Sequence, residues 1–281
     1  MSQTLDPIDS KLSDDRPRML PPTVFWRIAD DIPRRVALIL MVLSIAVPLI
    51  LWWAIAQSGI VQPMFLPTPA AVFGALGRMW TDGTLPVDIG FSLFRVLSGF
   101  LLAAVISVPL GMLMGTFASV RSLLEPIIGI LRYMPAPAFI PLLILYFGLG
   151  EEPKILLIFI GTLFFNTLMI MDAVKFVPKD LIEATYTLGG SRSQVVLQVI
   201  LPYIVPSIID AFRVNMAASW NLVIVAELVA ATEGLGKRIS VAQRFLKTDE
   251  IFVGLIVIGL IGLAIDLFFR LLLRLTCRWA R

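Results

Sequence analysis

Apolar residues in this chain are grouped in long runs rather than in short alternating stretches. The runs fall at about 36–56, 90–118, 123–147, 155–172, 203–231 and 250–273, each near the roughly 20 residues a helix needs to cross a hydrocarbon core. None shows the two-residue alternation of a membrane barrel, so helices are left as the way to satisfy the backbone in lipid. The pattern predicts an all-α, polytopic membrane protein with about six transmembrane helices. A hydrophobic share of 58% and a mean hydropathy of +0.90 agree, since both exceed an ordinary soluble domain.

The chain divides into a polar lead-in, 1–35, and a membrane domain, 36–281, with one long polar interruption at 173–202. Residues 1–20 mix Asp, Ser, Pro, Lys and Arg and read as a loose tail. "VFWRIADDIPRR" has two readings: a short surface helix with Phe25, Trp26, Ile28 and Ile32 toward lipid, or an irregular lead-in. No small-residue cleavage site follows the first apolar run, so a removable signal peptide is not expected.

Six spans put both termini on one side. Of the 23 Lys and Arg, 14 then fall on that side, six on the other and three inside spans, and the positive-inside rule makes the termini cytoplasmic. Against the trend, "GKRISVAQRFLK" carries four positives on the outer side. The net charge of +3 and the pI near 9.2 fit a basic cytoplasmic rim better than nucleic-acid binding. The single cysteine, Cys277, excludes a disulfide within the chain, and there is no histidine.

The polar interruption "KDLIEATYTLGGSRSQVVLQVILP" (Lys179 to Pro202) carries its own start and stop signals. Asp180 with Glu183 reads as a capping box opening a first helix. Gly189 and Gly190 offer the left-handed backbone that ends one. Ser191 with Gln194 reads as a second capping box, starting a helix that runs toward Pro202. The expected unit is helix, tight turn, helix on the cytoplasmic face, its first helix bearing a small apolar surface at Ala184, Tyr186 and Leu188.

"EATYTLGGSRSQVVLQVILP" resembles the signature cytoplasmic loop of ABC importer permeases, with Glu183, Ala184, Gly189, Leu201 and Pro202 in register and Thr185 where the family pattern has a second Ala. "FLPTPAAVFGAL", "SLFRVLSGFLLA", "YMPAPAFIPLLILYFGLG" and "GLGKRISVAQ" are similar to segments of the nitrate, sulfonate, taurine and bicarbonate group of that family. The resemblance implies a type I importer permease fold and a coupling helix that docks on an ATP-binding subunit. Asp180, Glu183, Ala184, Thr185, Leu188, Gly189 and Gly190 are the expected contacts. It also implies two ATP-binding subunits, identical or different, a periplasmic or lipid-anchored solute-binding protein, and a small anionic solute.

This chain is not expected to be an enzyme or to hold a cofactor. A phosphate-cradling loop needs Gly-x-x-x-x-Gly-Lys-Ser/Thr, and "ATEGLGKR" has Ala231 at the first glycine and Arg238 at the last position. ATP and Mg are therefore expected on the partner subunits. One coupling loop per chain calls for a second copy, a homodimer, to engage both halves of an ATPase pair.

Charges within apolar runs mark functional candidates. Arg95 either snorkels outward or faces the interior. Arg213 is expected to pair with Asp210, and Asp266 with Arg270, at i,i+3 and i,i+4 spacing. Arg132 precedes "YMPAPAFIP", where Pro135, Pro137 and Pro141 must break the helix. Such backbone is tolerated mainly where protein or water covers it, which makes Arg132 a candidate for the translocation path. Asn166, Thr167, Asn215, Ser219 and Asn221 either line that path or hydrogen-bond between helices. Gly111 to Gly115 is a small-xxx-small helix contact. A secondary transporter would show midplane carboxylates and internal repeats, and a membrane enzyme a nucleophile, metal cluster or carboxylate dyad. The sequence displays neither set.

Overall fold

Every fourth residue on one face of the third helix is small: Gly99, Ala103, Ser107, Gly111 and Gly115. That stripe decides how the two central helices meet. A Cβ at Gly99 would sit 2.7 Å from the Ile155 carbonyl oxygen, at Gly111 2.7 Å from that of Thr167, and at Gly115 2.4 Å from Val174 Cβ. The backbones of α3 (Thr84–Thr116) and α6 (Glu152–Lys175) therefore run parallel in close contact, as small residues permit where lipid gives helices little hydrophobic reason to associate. The expected contact at Gly111 and Gly115 is one part of this longer stripe.

The computed structural model describes residues 32–280. The candidate surface helix with Phe25, Trp26 and Ile28 lies outside them. The chain forms two units, Met1–Ile55 and Ala56–Arg281. The first holds most of α1 (Arg34–Gln57), apolar along its length apart from Ser44 and its ends, with Pro48 inside it. The second contains α2 (Pro69–Thr81), α3, α4 (Ala118–Leu131), α5 (Ile140–Phe147), α6, α7 (Lys179–Thr187), α8 (Arg192–Gln194), α9 (Leu201–Ala230), α10 (Leu235–Arg244) and α11 (Thr248–Thr276). No strand occurs among the described residues.

Five helices are long and apolar enough to span a membrane, or six if α4 and α5 count together. The apolar run 123–147 is broken at its prolines, as expected. It folds as α4, a 3-10 turn at Ala136–Phe139, and α5, with an 83° bend between the halves. Pro135 caps the turn in extended conformation and Pro137 and Pro141 fall in the first turns of the segments that follow, where their missing N–H groups cost nothing.

α9 is longer than its apolar run. Together with α8 and the π-helical turn Val195–Ile200 it forms one rod, Arg192–Val229, that passes from the polar interruption into the span. The π turn, in which the Leu201 N–H reaches the Val196 carbonyl, stands immediately before Pro202, whose ring and missing N–H obstruct a regular ladder. Val195 and Ile200 of the turn bury beside Ile204, Ile208, Met112, Ile170 and Val174, so the polar loop is anchored in the core of α3, α6 and α9.

Candidate functional site

The hairpin at 179–202 forms, but its first helix starts differently from the sequence expectation. Pro178, not Asp180, is the N-cap, and no side chain caps the helix. Proline sets its own φ near −65°, and with Pro178 at φ −58° the helix opens two residues earlier. Asp180 lies inside the first turn, where its charge favours the helix dipole.

The turn that ends α7 is a Schellman motif. The Gly190 N–H donates to the Thr185 carbonyl at 2.9 Å and the Gly189 N–H to that of Tyr186 at 2.9 Å. Gly189 has φ +80°, as expected. Gly190 is needed for another reason: a Cβ there would lie 2.6 Å from Thr185 Cγ2 and 2.8 Å from its carbonyl oxygen. Thr185, which replaces the second alanine of the family pattern, is thus packed under the turn. The second capping box is present as expected, with Ser191 Oγ accepting from the Gln194 N–H and Gln194 Oε1 accepting from the Ser191 N–H at 2.7 Å.

α7 touches the core through Ile182. Its other large side chains point away: Leu188 is 88% exposed and Tyr186 and Leu181 are also exposed. Glu183 and Ala184 share that open surface. A helix of mixed polar and apolar character is thus fixed by a rigid turn and left uncovered by its own chain.

At membrane depth the four candidate path residues separate into two groups. Asn166, Asn215 and Ser219 are buried between α6 and α9, where Asn215 Nδ2 donates to Asn166 Oδ1 at 2.6 Å and Ser219 Oγ donates to the Asn215 carbonyl. The Asn215–Asn166 bond ties the two helices together, while the Ser219 bond lies within α9. Arg132 stands apart at the C-terminus of α4, exposed, its guanidinium 4.8 Å from the Tyr133 ring and donating to the Tyr133 hydroxyl at 2.9 Å. It opens onto a cavity of about 370 Å³ between the broken segment, α6 and α9, which Asn221 also lines. Arg213 bridges further than expected, lying 3.6 Å from Asp210 and 3.7 Å from Asp266 of α11, while Arg270 binds Asp266 at 2.6 Å.

At the end of the bundle away from the hairpin lies a buried ionic cluster. Arg95 does not snorkel; its side chain is fully buried. Nη1 donates to Glu227 Oε1 at 2.7 Å and to the Glu233 carbonyl, and Nε and Nη2 form a two-pronged pair with Glu151. Lys154 also binds Glu151. The start of α10 is held by side chains from other helices: Asp88 accepts from the Gly234 N–H, Ser92 Oγ from that of Leu235 and Glu227 from that of Gly236, while Arg238 pairs with Asp88. Hydrogen bonding to Arg95, joined by Lys154, outweighs partial burial and holds the Glu151 carboxyl at about 2 rather than 4.5. A signal existed in the sequence, because Asp88, Ser92 and Arg95 at i, i+4 and i+7 share one face of an otherwise apolar helix. Their partners Glu151 and Glu227, 56 and 132 residues beyond Arg95, carried none.

Residues 107–281 match the family of the binding-protein-dependent transport system inner membrane component. The chain belongs to this family. Among relatives of this permease, the taurine transport system permease protein TauC of Escherichia coli (strain K12) is 36% identical over 84% of this chain and 88% of that protein. The putative aliphatic sulfonates transport permease protein SsuC of Bacillus subtilis (strain 168) is 32% identical over 83% and 85%, and the nitrate import permease protein NrtB of Synechocystis is 29% identical over 80% and 84%. The inward-facing MetNI methionine ABC transporter superposes with a TM-score of 0.60 over 67% of this chain and 94% of that one, at 21% identity. The fold is thus that of a type I ABC importer permease, and the protein is a membrane transport component.

Proposed function

We propose that this permease forms the membrane path of an ATP-driven importer for a small anionic solute, and that α7 and its Gly189–Gly190 turn receive the motion of a separate ATP-binding subunit. The observation that carries the reading is the hairpin itself. A Schellman turn and a buried π turn fix α7 to the rod of α9, while Leu188, Tyr186 and Glu183 face away from the chain. Displacement at α7 is transmitted along α9 to the residues beside Arg132.

In this reading two copies of the permease pair as a homodimer, each engaging one ATP-binding subunit, with ATP and Mg held by those subunits. Both termini and the hairpin are cytoplasmic, in line with the positive-charge bias. A solute-binding protein delivers the solute to the opposite face. The solutes in the names of three relatives, taurine, aliphatic sulfonates and nitrate, share an oxyanion group, which supports an anion, and Arg132 supplies a fixed positive charge beside broken backbone. Asn166 and Asn215 frame the path by holding α6 to α9, with Ser219 buried one turn further along α9.

Purification through a tag on this chain tests the assembly. The permease should bring an ATP-binding subunit with it, and Leu188→Asp, which places a charge in an exposed apolar contact, should sharply reduce that recovery while leaving membrane insertion intact. A permease recovered alone yet competent for uptake would contradict the reading.

A further inference from the structure

The cavity at Arg132 has a mixed chemistry that bears on which anion passes. Two groups on its wall are strongly polar, the Arg132 guanidinium and the Asn221 amide, and the remainder is apolar, including Met134, Phe164, Phe165 and Leu222. Among the described residues no carboxylate pairs with Arg132, whose partner is the neutral Tyr133. Asn221 gives one amide hydrogen to the Ala217 carbonyl at 3.0 Å, which leaves the second for a ligand. Gly161 lets the broken segment and α9 close on α6 at this place, since a Cβ there would lie 2.3 Å from Leu222 Cδ1 and 3.1 Å from Ala136 Cβ. The wall is thus built by three elements rather than by one exposed side chain.

We infer that this cavity takes an organic monoanion, an oxyanion head on a short apolar tail, with Asn221 as a second head-group contact beside Arg132. The inference rests on the anion-importer reading above and narrows it. A planar guanidinium offers paired N–H donors to a sulfonate or carboxylate, and Asn221 adds one more. The aromatic and aliphatic wall rewards an alkyl or aryl tail in proportion to the apolar area it removes from water. A bare inorganic oxyanion gains nothing from that wall. A zwitterion with an ammonium group would have to desolvate its cation beside Arg132 with no carboxylate on the wall to receive it. The cavity therefore favours an alkanesulfonate over nitrate, bicarbonate or taurine.

Saturation-transfer NMR with butanesulfonate, on the complete permease–ATPase complex in nanodiscs without binding protein, tests this. Transfer to the butyl protons is expected, weakened about tenfold or more in Arg132→Gln, as loss of charge-assisted hydrogen bonds implies. Asn221→Leu should weaken it by less and Asn221→Gln should retain it. Equal concentrations of nitrate or taurine should displace little of the probe. The inference is overturned if the wild type gives no transfer beyond empty nanodiscs, if Arg132→Gln assembles and binds as wild type does, or if nitrate or taurine displaces the probe as well as perdeuterated butanesulfonate does. The readout does not involve ATP hydrolysis, so it is independent of whether α7 couples to an ATPase.

Discussion

Arg95 Nη1 and Glu227 Oε1 meet at 2.7 Å with neither side chain exposed. The pair joins α3 to α9, and through Gly236 and Glu233 it fixes the entry to α10. Taking both charges out of water is costly, and the cluster is tolerated because every charge in it has a partner. Removing one member leaves an uncompensated buried charge, typically a loss of about 3–5 kcal/mol. Arg95→Met should therefore lower the thermal unfolding temperature of the purified complex well below that of Glu151→Gln, because the Glu151 side chain is 36% exposed. Equal effects would mean that the cluster is less tightly coupled than its geometry implies.

The same cluster gives a pH dependence with a defined sign. Glu151, held at about 2 against 4.5, binds fewer protons in the folded state than in the unfolded state between those values. Its contribution is complete above the unfolded value and is lost as pH falls through the folded one. Thermal stability measured downward from about pH 5 to pH 3 should fall in the wild type, and Glu151→Gln should flatten that fall. An unchanged slope in the variant would remove Glu151 from the account.

Orientation is checked by labelling. With Cys277 replaced by Ser, Ser191→Cys at the start of α8 should react with an impermeant thiol reagent only from the cytoplasmic side. Reaction from outside would place the hairpin, and any ATP-binding partner, on the wrong face.

The apolar runs, the proline break after Arg132, the Gly189 turn and the Ser191–Gln194 cap were legible in the sequence because each is set by residues within a few positions. The pattern Asp-x-x-Glu points to Asp180 as a cap, but the preset φ of Pro178 opens the helix before it. The π turn was not legible, since what drives it is the burial of Val195 and Ile200 against α3 and α6, a tertiary demand. The sequence admits two readings of Arg95 because its partners are distant along the chain. Asn166 and Asn215 belong together only once α6 and α9 are side by side. Local chemistry thus marked where a helix starts, stops or breaks, and long-range packing decided which polar residues face one another.

The central claim is that α7 is a lever, and Gly189 tests it most directly. At φ +80° a β-branched residue is strained whereas asparagine is tolerated, and nothing lies within 4 Å of a Cβ built there, so both variants should insert and assemble. The decisive measurement is ATPase activity of the complete complex in nanodiscs, with and without solute-loaded binding protein. Gly189→Val should lose most of the stimulation while Gly189→Asn keeps most of it. Wild-type stimulation in an assembled Gly189→Val complex would contradict the lever.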